Sequence, residues 1–227
     1  MDRPLRLALT CGLLLLGGFG LYVWRAGGAA APLPEQTAAA SSPIAPADRI
    51  PPPGFDSIIL ASGCFWCTES DFDALTGVVS TTSGYTGGRI ANPSYGQVSA
   101  GGTGHVEAVE VVFDPKVIAL ETLLDHYWHN VDFFNDHGQF CDYGEQYRPV
   151  IFARDQHQRQ VAEASKAALQ EMIRKPVVVE ILDARPFYPA EAYHQDYYNK
   201  NPVRYRYYRW SCGRDARLAE LWRQQPP

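Results

Sequence analysis

The stretch IILASGCFWCTE, residues 58–69, decides the fold, because an apolar run leads within a few residues into the start of a helix. Residues 58–61 have the composition of a buried strand. Cys64 and Cys67 follow where the helix is expected to open, on either side of Phe65 and Trp66. A Cys-x-x-Cys pair after a strand is typical of redox chemistry, so we look for the nucleophile of the molecule here.

Working outward, strand and helix patterns mix without a regular repeat. Residues 105–115, HVEAVEVVFDP, alternate apolar and polar side chains, which predicts a half-buried strand. Residues 120–131 have helical spacing, and residues 154–173 predict a long amphipathic helix capped by Asp155. Further strands are predicted within 77–88, 148–153 and 175–182. The pattern predicts an α+β fold, a single two-layer domain with a mixed or antiparallel sheet flanked by helices.

The first 25 residues form a separate hydrophobic segment, in which 18 uncharged residues, 7–24, follow Arg3 and Arg6. This run is longer than the ~7–15 residues of a usual signal core, so an uncleaved signal anchor is favoured over a cleaved signal peptide. The arginines predict a cytoplasmic N-terminus and a body outside the cytoplasm, periplasmic or exported. Residues 26–54, rich in Ala and Pro, predict a flexible spacer, and the catalytic domain is expected at 55–227.

The composition excludes one class of partner. Hydrophobic residues make up 46% and charged residues 20%, which is ordinary for a globular domain. The net charge of −5 gives no basic surface for nucleic acid.

The five cysteines have no regular spacing that would suggest a disulfide framework. A helix N-terminus stabilises a thiolate, so the pattern predicts a lowered pKa for a cysteine at the start of the helix. The alternative reading of Cys64 and Cys67 is half of a zinc site. Zinc needs four ligands, and Cys141 and Cys212 are too isolated in the sequence to make a four-thiolate set the favoured reading.

Other residues that could carry chemistry each have a simpler explanation. The glycines between 84 and 104 lack the Gly-Lys-Ser/Thr of a phosphate loop. Tyr85 is expected to be a packing residue. The histidines are expected to be solvated or hydrogen-bonded rather than metal ligands: His126, His129 and His137. Glu107 differs, since an acid beside an apolar pocket has a raised pKa and can donate a proton.

Six motifs in order along residues 57–213 resemble the A-type peptide methionine sulfoxide reductases. They are GCFWCTE, GVVSTTSGYTGG, NPSY, GTGHVEAVEV, CDYGEQYRPVIF and FYPAEAYHQDYYNKNP. Together they cover nearly the whole predicted body.

The resemblance implies a role for each residue of the site. Cys64 would attack the sulfoxide sulfur and become a sulfenic acid, with Phe65 and Trp66 holding the substrate methyl group. The sulfoxide oxygen would be held by an acid that donates the proton and two tyrosines: Glu107, Tyr95 and Tyr147. Asp142 would stand at the edge of the same site.

Recycling of the sulfenic acid is where the sequence departs from the family pattern. Many members have a resolving cysteine soon after the KNP motif, whereas here the next cysteine is Cys212. Cys67 is one helical turn from Cys64, a Cβ separation of ~5–6 Å that is wide for a disulfide. We therefore favour Cys212, on a tail expected to be mobile, and keep Cys67 open. Cys141 has the weakest case.

The resemblance implies an enzyme without metal or organic cofactor, which repairs oxidised proteins or free methionine sulfoxide and takes electrons from a thioredoxin-like protein. The chain is expected to be a monomer. The preference for the S epimer also comes from the resemblance. Two alternatives stay open. One is a general thiol–disulfide oxidoreductase using Cys64 and Cys67, and the other is a non-catalytic metal- or ligand-binding domain.

Overall fold

The computed structural model of the chain describes residues 50–223. The hydrophobic segment predicted at 1–25 lies outside the described residues, as does the spacer up to residue 49. No helix within 50–223 combines the length and the apolar surface needed to cross a lipid bilayer.

The centre of the fold is a six-stranded mixed sheet, which confirms the predicted fold class. Its strands are β1 (Asp56–Ala61), β2 (Val78–Thr86), β3 (Val106–Phe113), β6 (Val150–Ala153), β7 (Glu180–Asp183) and β8 (Tyr188–Pro189), in the order β7-β6-β1-β3-β2-β8. All neighbours are antiparallel except β6 and β7. A separate hairpin consists of β4 (Gly138–Gln139) and β5 (Asp142–Tyr143).

Seven α-helices and a short 3-10 helix at Glu145–Tyr147 surround the sheets in the described part of the chain. The α-helices are α1 (Phe65–Asp73), α2 (Tyr95–Ser99), α3 (Leu120–His129), α4 (Gln156–Ile173), α5 (Tyr197–Lys200), α6 (Pro202–Ser211) and α7 (Arg214–Arg223). The predicted cap of α4 is present, since the Asp155 side chain accepts a hydrogen bond from the Gln158 backbone N–H.

The structure differs from, or adds to, the sequence expectations at two places. The strand β3 is buried along almost its whole length instead of on one face, because it lies between β1 and β2 at the centre of the sheet. The tail that carries Cys212, expected to be mobile, is helical: Cys212 is the C-cap of α6, and α7 begins two residues later.

Apolar side chains cover both faces of the sheet. On one face Leu60 and Val109 belong to a large core with Leu123 and Leu124 of α3. On the other face a smaller cluster forms around Phe152 and includes six more residues: Ile59, Ala61, Val106, Ala108, Val150 and Phe187. These two cores hold β1 and β3 rigidly side by side, and the chemistry-bearing residues lie on and after these strands.

The turn between β1 and α1 depends on Gly63. This residue has a φ of +89°, and a Cβ atom here would lie 2.5 Å from the Cβ of Gln139. Only glycine is free of both penalties. The turn places Cys64 at the N-cap of α1, where it lines a small pocket.

Candidate active site

A small pocket opens where β1 passes into α1. It has a volume of about 100 Å³. Seven of the nine residues that the sequence predicted for the site line it: Cys64, Phe65, Trp66, Tyr95, Glu107, Asp142 and Tyr147. Cys67 and Cys212 are not among its lining residues. The eighth lining residue, Tyr208, was not predicted.

Cys64 is buried, with 6% of its surface exposed. Burial raises the pKa of the Cys64 thiol well above its usual value, and a hydrogen bond to Cys67 raises it further. The sequence predicted that the helix N-terminus would lower the pKa of Cys64, and this lowering is not found. Burial destabilises the thiolate more than the first turn of a short helix stabilises it. At neutral pH the resting Cys64 is a thiol.

Cys67 lies beneath Cys64 and is 2% exposed. The hydrogen bond that it receives from Cys64 lowers the pKa of the Cys67 thiol, and the positive charge of Arg214 acts in the same direction. Both cysteines are free thiols.

Glu107 lies on β3 and reaches the pocket from below α1. Its carboxyl group accepts a hydrogen bond of 3.0 Å from the Phe65 backbone N–H. Burial raises the pKa of Glu107 to about 8 despite this bond. The group therefore carries a proton at neutral pH, as the sequence argument expected, and can donate it to a ligand in the pocket.

Two tyrosine hydroxyls complete the polar side of the pocket. Burial raises the pKa of Tyr95, and it raises the pKa of Tyr147 more strongly. Both hydroxyls thus remain hydrogen-bond donors. Tyr95 begins α2, and its backbone N–H donates to Glu191 at 2.8 Å. The same carboxylate accepts a 2.8 Å bond from Tyr85, whose ring is fully buried, as expected of a packing residue.

The apolar wall of the pocket is held rigidly. The Trp66 indole stacks on Tyr197, with ring centroids 3.6 Å apart and an angle of 6° between the planes. Its Nε1–H donates to Nδ1 of His194 at 3.0 Å. Burial lowers the pKa of His194 to about 4, so the imidazole stays neutral and keeps this nitrogen as an acceptor. The Phe65 ring lies against the same imidazole, 4.9 Å between centroids.

Asp142 and Tyr208 close the rim of the pocket. The Tyr208 hydroxyl donates a short hydrogen bond to Oδ2 of Asp142. Burial raises the pKa of Asp142, while this hydrogen bond and Arg214 oppose the rise.

A disulfide joins Cys141 to Cys212 beside this rim, with an S–S distance of 2.04 Å. Cys212, which the sequence favoured as the residue that resolves the Cys64 sulfenic acid, is thus bonded here to Cys141, for which the sequence gave the weakest case. Cys141 is in contact because the β4–β5 hairpin places it against the end of α6. Cys141 is exposed and Cys212 half-buried, in contrast to Cys64 and Cys67.

Arg214 was missed by the sequence argument, although it is the largest fully buried side chain of the described residues. Its guanidinium donates to the carbonyl oxygens of Ser62, at 3.1 Å, and Asn130, at 2.6 Å. It also lies 3.4 Å from Asp71 and over the ring of Phe140. Arg214 thus connects the start of α7, two residues after Cys212, to the turn that precedes Cys64.

The histidines considered as metal ligands are hydrogen-bonded or solvated instead. His126 Nε2 lies 2.9 Å from the Asp71 carbonyl oxygen, and His129 Nδ1 lies 2.8 Å from that of Asp125. His137 is exposed beside Asp136. Within residues 50–223, none of the three belongs to a group of three potential metal ligands.

Comparison with known proteins gives a consistent picture. The family model described as peptide methionine sulfoxide reductase matches residues 56–226. The peptide methionine sulfoxide reductase MsrA of Ligilactobacillus salivarius is 53% identical over 66% of this chain and 88% of its own length. The MsrA/MsrB protein of Vibrio cholerae is 48% identical over 74% of this chain, and the match spans only 45% of that longer protein.

Among solved structures, the reduced form of Mxr1 from Saccharomyces cerevisiae resembles this fold, with a TM-score of 0.64 and 32% identity. The match covers 66% of this chain and 88% of the yeast protein.

Proposed function

The chain belongs to the peptide methionine sulfoxide reductase family, and from this premise we propose how its residues reduce methionine sulfoxide. The observation that carries the proposal is that the buried carboxyl group of Glu107, whose pKa burial raises to about 8, lines the same aromatic-walled pocket as Cys64. A thiol nucleophile and a proton donor in one pocket are the groups that reduction of a sulfoxide requires.

The pocket selects for a small group. The pocket volume of about 100 Å³ is the volume that roughly three molecules of liquid water occupy. This space accommodates a methyl group and a sulfinyl group. The methyl group would pack on Phe65 and Trp66, since a polarizable methyl next to sulfur is well matched to aromatic faces. The sulfinyl oxygen would lie toward Glu107, Tyr95 and Tyr147. We propose the S epimer as the substrate, on the strength of the family resemblance.

The first step reduces the sulfoxide and oxidises Cys64. Glu107 donates a proton to the sulfinyl oxygen, which makes the sulfur electrophilic, and the Cys64 thiol attacks this sulfur as its own proton passes to the same oxygen. This attack joins the two sulfurs, and sulfur–oxygen cleavage releases the oxygen as water. A water molecule then attacks the Cys64 sulfur and returns a proton to Glu107, which breaks the bond between the sulfurs and leaves the methyl thioether and a sulfenic acid at Cys64. Because burial keeps Cys64 protonated at rest, the nucleophile is generated only when a substrate accepts the proton of Glu107.

The second step removes the sulfenic oxygen as water. The Cys212 thiol attacks the Cys64 sulfenic acid, which forms a 64–212 disulfide and releases water. Cys141 then attacks the Cys212 sulfur, which frees Cys64 and leaves the 141–212 disulfide seen in the structure. The placement supports this order. Cys212 follows Tyr208 by one helical turn, and Cys141 precedes Asp142, so each thiol neighbours a residue that lines the pocket.

We further propose that the electrons come from a thioredoxin-like dithiol protein. Thiol–disulfide exchange requires one sulfur to approach another closely. The exposed Cys141 offers that approach, whereas Cys64 and Cys67 are nearly closed to a protein partner. The same contrast argues against a general oxidoreductase that would use Cys64 and Cys67.

Location and assembly are proposed from the sequence and the site. We propose that residues 1–25 anchor the chain in a membrane, with 26–54 as a spacer and 55–227 as the catalytic domain outside the cytoplasm. A reporter that is active only outside the cytoplasm, fused after Pro53, should then be active, and the protein should sediment with membranes. Recovery of a soluble form beginning near Ala30 would instead indicate a cleaved signal. Since one chain supplies all the pocket residues, we propose a monomer.

The test of the activity is steady-state reduction of the two epimers of a methionine sulfoxide peptide with dithiothreitol. We expect the S epimer alone to be reduced. Insulin serves as the control substrate, because a general oxidoreductase would reduce its disulfides and ignore both epimers. A chain that binds zinc and turns over neither substrate would instead support the non-catalytic alternative.

A further inference from the structure

Three potential metal-binding groups meet at the recycling disulfide. The Sγ atoms of Cys141 and Cys212 and a carboxylate oxygen of Asp142 all lie within 4.8 Å of one another. Among residues 50–223 no other such group of three is found. Cys141 Sγ lies 3.8 Å from Oδ1 of Asp142.

Reduction of the 141–212 disulfide makes the two sulfurs available as metal ligands. The disulfide takes up two electrons and two protons and becomes two thiols, which then stand side by side with the carboxylate. Two thiolates and one carboxylate oxygen form an S₂O ligand set, which suits Zn²⁺ in tetrahedral geometry with water in the fourth position. In the oxidised chain the two sulfurs are bonded to each other and cannot act as thiolate ligands. The S₂O ligand set therefore exists only after reduction.

The surroundings orient the ligands as a metal site requires. The Cys141 backbone N–H donates to Cys212 Sγ at 3.1 Å, a bond that stabilises a thiolate. Tyr208 donates to Oδ2 of Asp142, which fixes the carboxylate and leaves Oδ1 turned toward Cys141. Partners of this kind hold the ligands of metal sites in place.

The charge of the ligand set and its accessibility to solvent also suit a zinc ion. Two thiolates and a carboxylate carry three negative charges, which Zn²⁺ and the neighbouring Arg214 guanidinium together neutralise. Cys141 is exposed, and Cys212 and Asp142 are half-buried, so an ion can enter from solvent and keep a water ligand.

We propose that the reduced chain binds one Zn²⁺ ion through Cys141, Cys212 and Asp142, at a site that formation of the 141–212 disulfide abolishes. Binding displaces the two thiol protons. The consequence for turnover rests on the proposed function: the ion would occupy both recycling thiols and Asp142 at the rim of the pocket, so zinc would reversibly inhibit the recycling step.

The test measures binding without turnover. The full chain, reduced with a phosphine that is then removed under anaerobic conditions, is titrated with Zn²⁺ against a chromophoric chelator. We expect one tightly bound equivalent in the reduced chain and none in the oxidised chain. Cys141→Ser and Cys212→Ser should each weaken binding by more than about 100-fold, beyond the usual effect of changing an outer-shell partner. Asp142→Asn should weaken it to a smaller extent.

Cys67→Ser is the matched control, since it removes a thiol that is outside the group and should leave the zinc affinity unchanged. Alkylation gives a second readout: zinc should slow the alkylation of the exposed Cys141 and the half-buried Cys212, whereas the slow alkylation of the buried Cys67 should not depend on zinc. Equal binding in the oxidised chain, or binding that survives Cys212→Ser, would overturn the proposal. Neither outcome depends on sulfoxide reduction, so failure here is distinct from failure of the proposed function.

Discussion

The molecule keeps its cysteines in two environments that differ in nearly every physical respect. Cys64 and Cys67 are free thiols that are 6% and 2% exposed, and Cys64 lines a pocket together with aromatic side chains and Glu107. Cys141 and Cys212 form a disulfide at the surface, beside a half-buried carboxylate. Proton donation is most effective where water is excluded, whereas exchange with another protein requires an accessible sulfur. One cysteine pair could not satisfy both requirements.

The two environments share a narrow boundary. Asp142 and Tyr208 line the pocket and at the same time neighbour the two disulfide sulfurs along the chain. Changes to either region should therefore separate sulfoxide reduction from recycling.

Cys64→Ser should give the largest effect, a complete loss of sulfoxide reduction with every reductant. A serine hydroxyl at its usual pKa cannot replace the thiol as a nucleophile. The measurement is single-turnover formation of methionine, and the 141–212 disulfide should still form in the variant. Residual turnover above trace level would mean that the buried pair is not where the sulfoxide is reduced.

Glu107→Gln should lower the rate of the reductase step by roughly two to four orders of magnitude, the usual contribution of general acid catalysis. Since the pKa of Glu107 is raised to about 8, the wild-type carboxyl group is protonated below that pH and loses its proton above it. The rate of the wild-type chain should therefore fall as pH rises through about 8. This decline should be missing from the variant, and an identical alkaline decline in both would contradict the assignment.

Cys212→Ser should lose turnover that depends on a thioredoxin-like donor, while much of the dithiothreitol-dependent activity remains. A small thiol reaches the buried Cys64 sulfenic acid directly, whereas a protein thiol does not.

Cys141→Ser should differ from Cys212→Ser in the disulfide that it accumulates. It should accumulate a 64–212 disulfide after one equivalent of substrate, detectable by peptide mapping. A dominant 64–67 bridge in the wild-type chain would make Cys67 the resolving residue.

Cys67→Ser should have the smallest effect, a change of between about two- and tenfold in the reductase rate. Cys67 accepts a hydrogen bond from Cys64, and a hydroxyl substitutes for it imperfectly. The alkylation rate of Cys64 as a function of pH measures the change, and donor-dependent recycling should continue. A loss of recycling in this variant would break the division between the two cysteine pairs.

The sequence predicted the elements whose signals are local. The apolar run before Cys64, the helical spacing of α3 and the Asp155 cap each depend on residues close together in the chain, and the structure contains all three. The full burial of β3 could not be read from its alternation, because burial depends on which strands lie beside it. The helix α6 escaped prediction because Tyr205 is its only buried residue, so no apolar stripe marks it.

The residues of the pocket were reached through the family motifs, and the supporting residues were not. His194 acts on Trp66 from 128 positions away, and Arg214 contacts Ser62 from 152 positions away. A single histidine or arginine at such a separation gives no sequence signal. The pairing of Cys141 with Cys212 had the same difficulty, since cysteine spacing alone does not determine connectivity.

The buried guanidinium of Arg214 has a consequence for how the protein opens. Because Arg214 donates to Ser62 and Asn130, α7 cannot detach without stranding a charge and freeing the turn before Cys64. The C-terminal helix and the nucleophile turn should therefore unfold as one cooperative unit, although they stand at opposite ends of the domain sequence. In native-state hydrogen exchange, the amides of residues 62–64 and of α7 should share one opening free energy. A chain ending before residue 214 would lose the shape of the pocket along with its last helix.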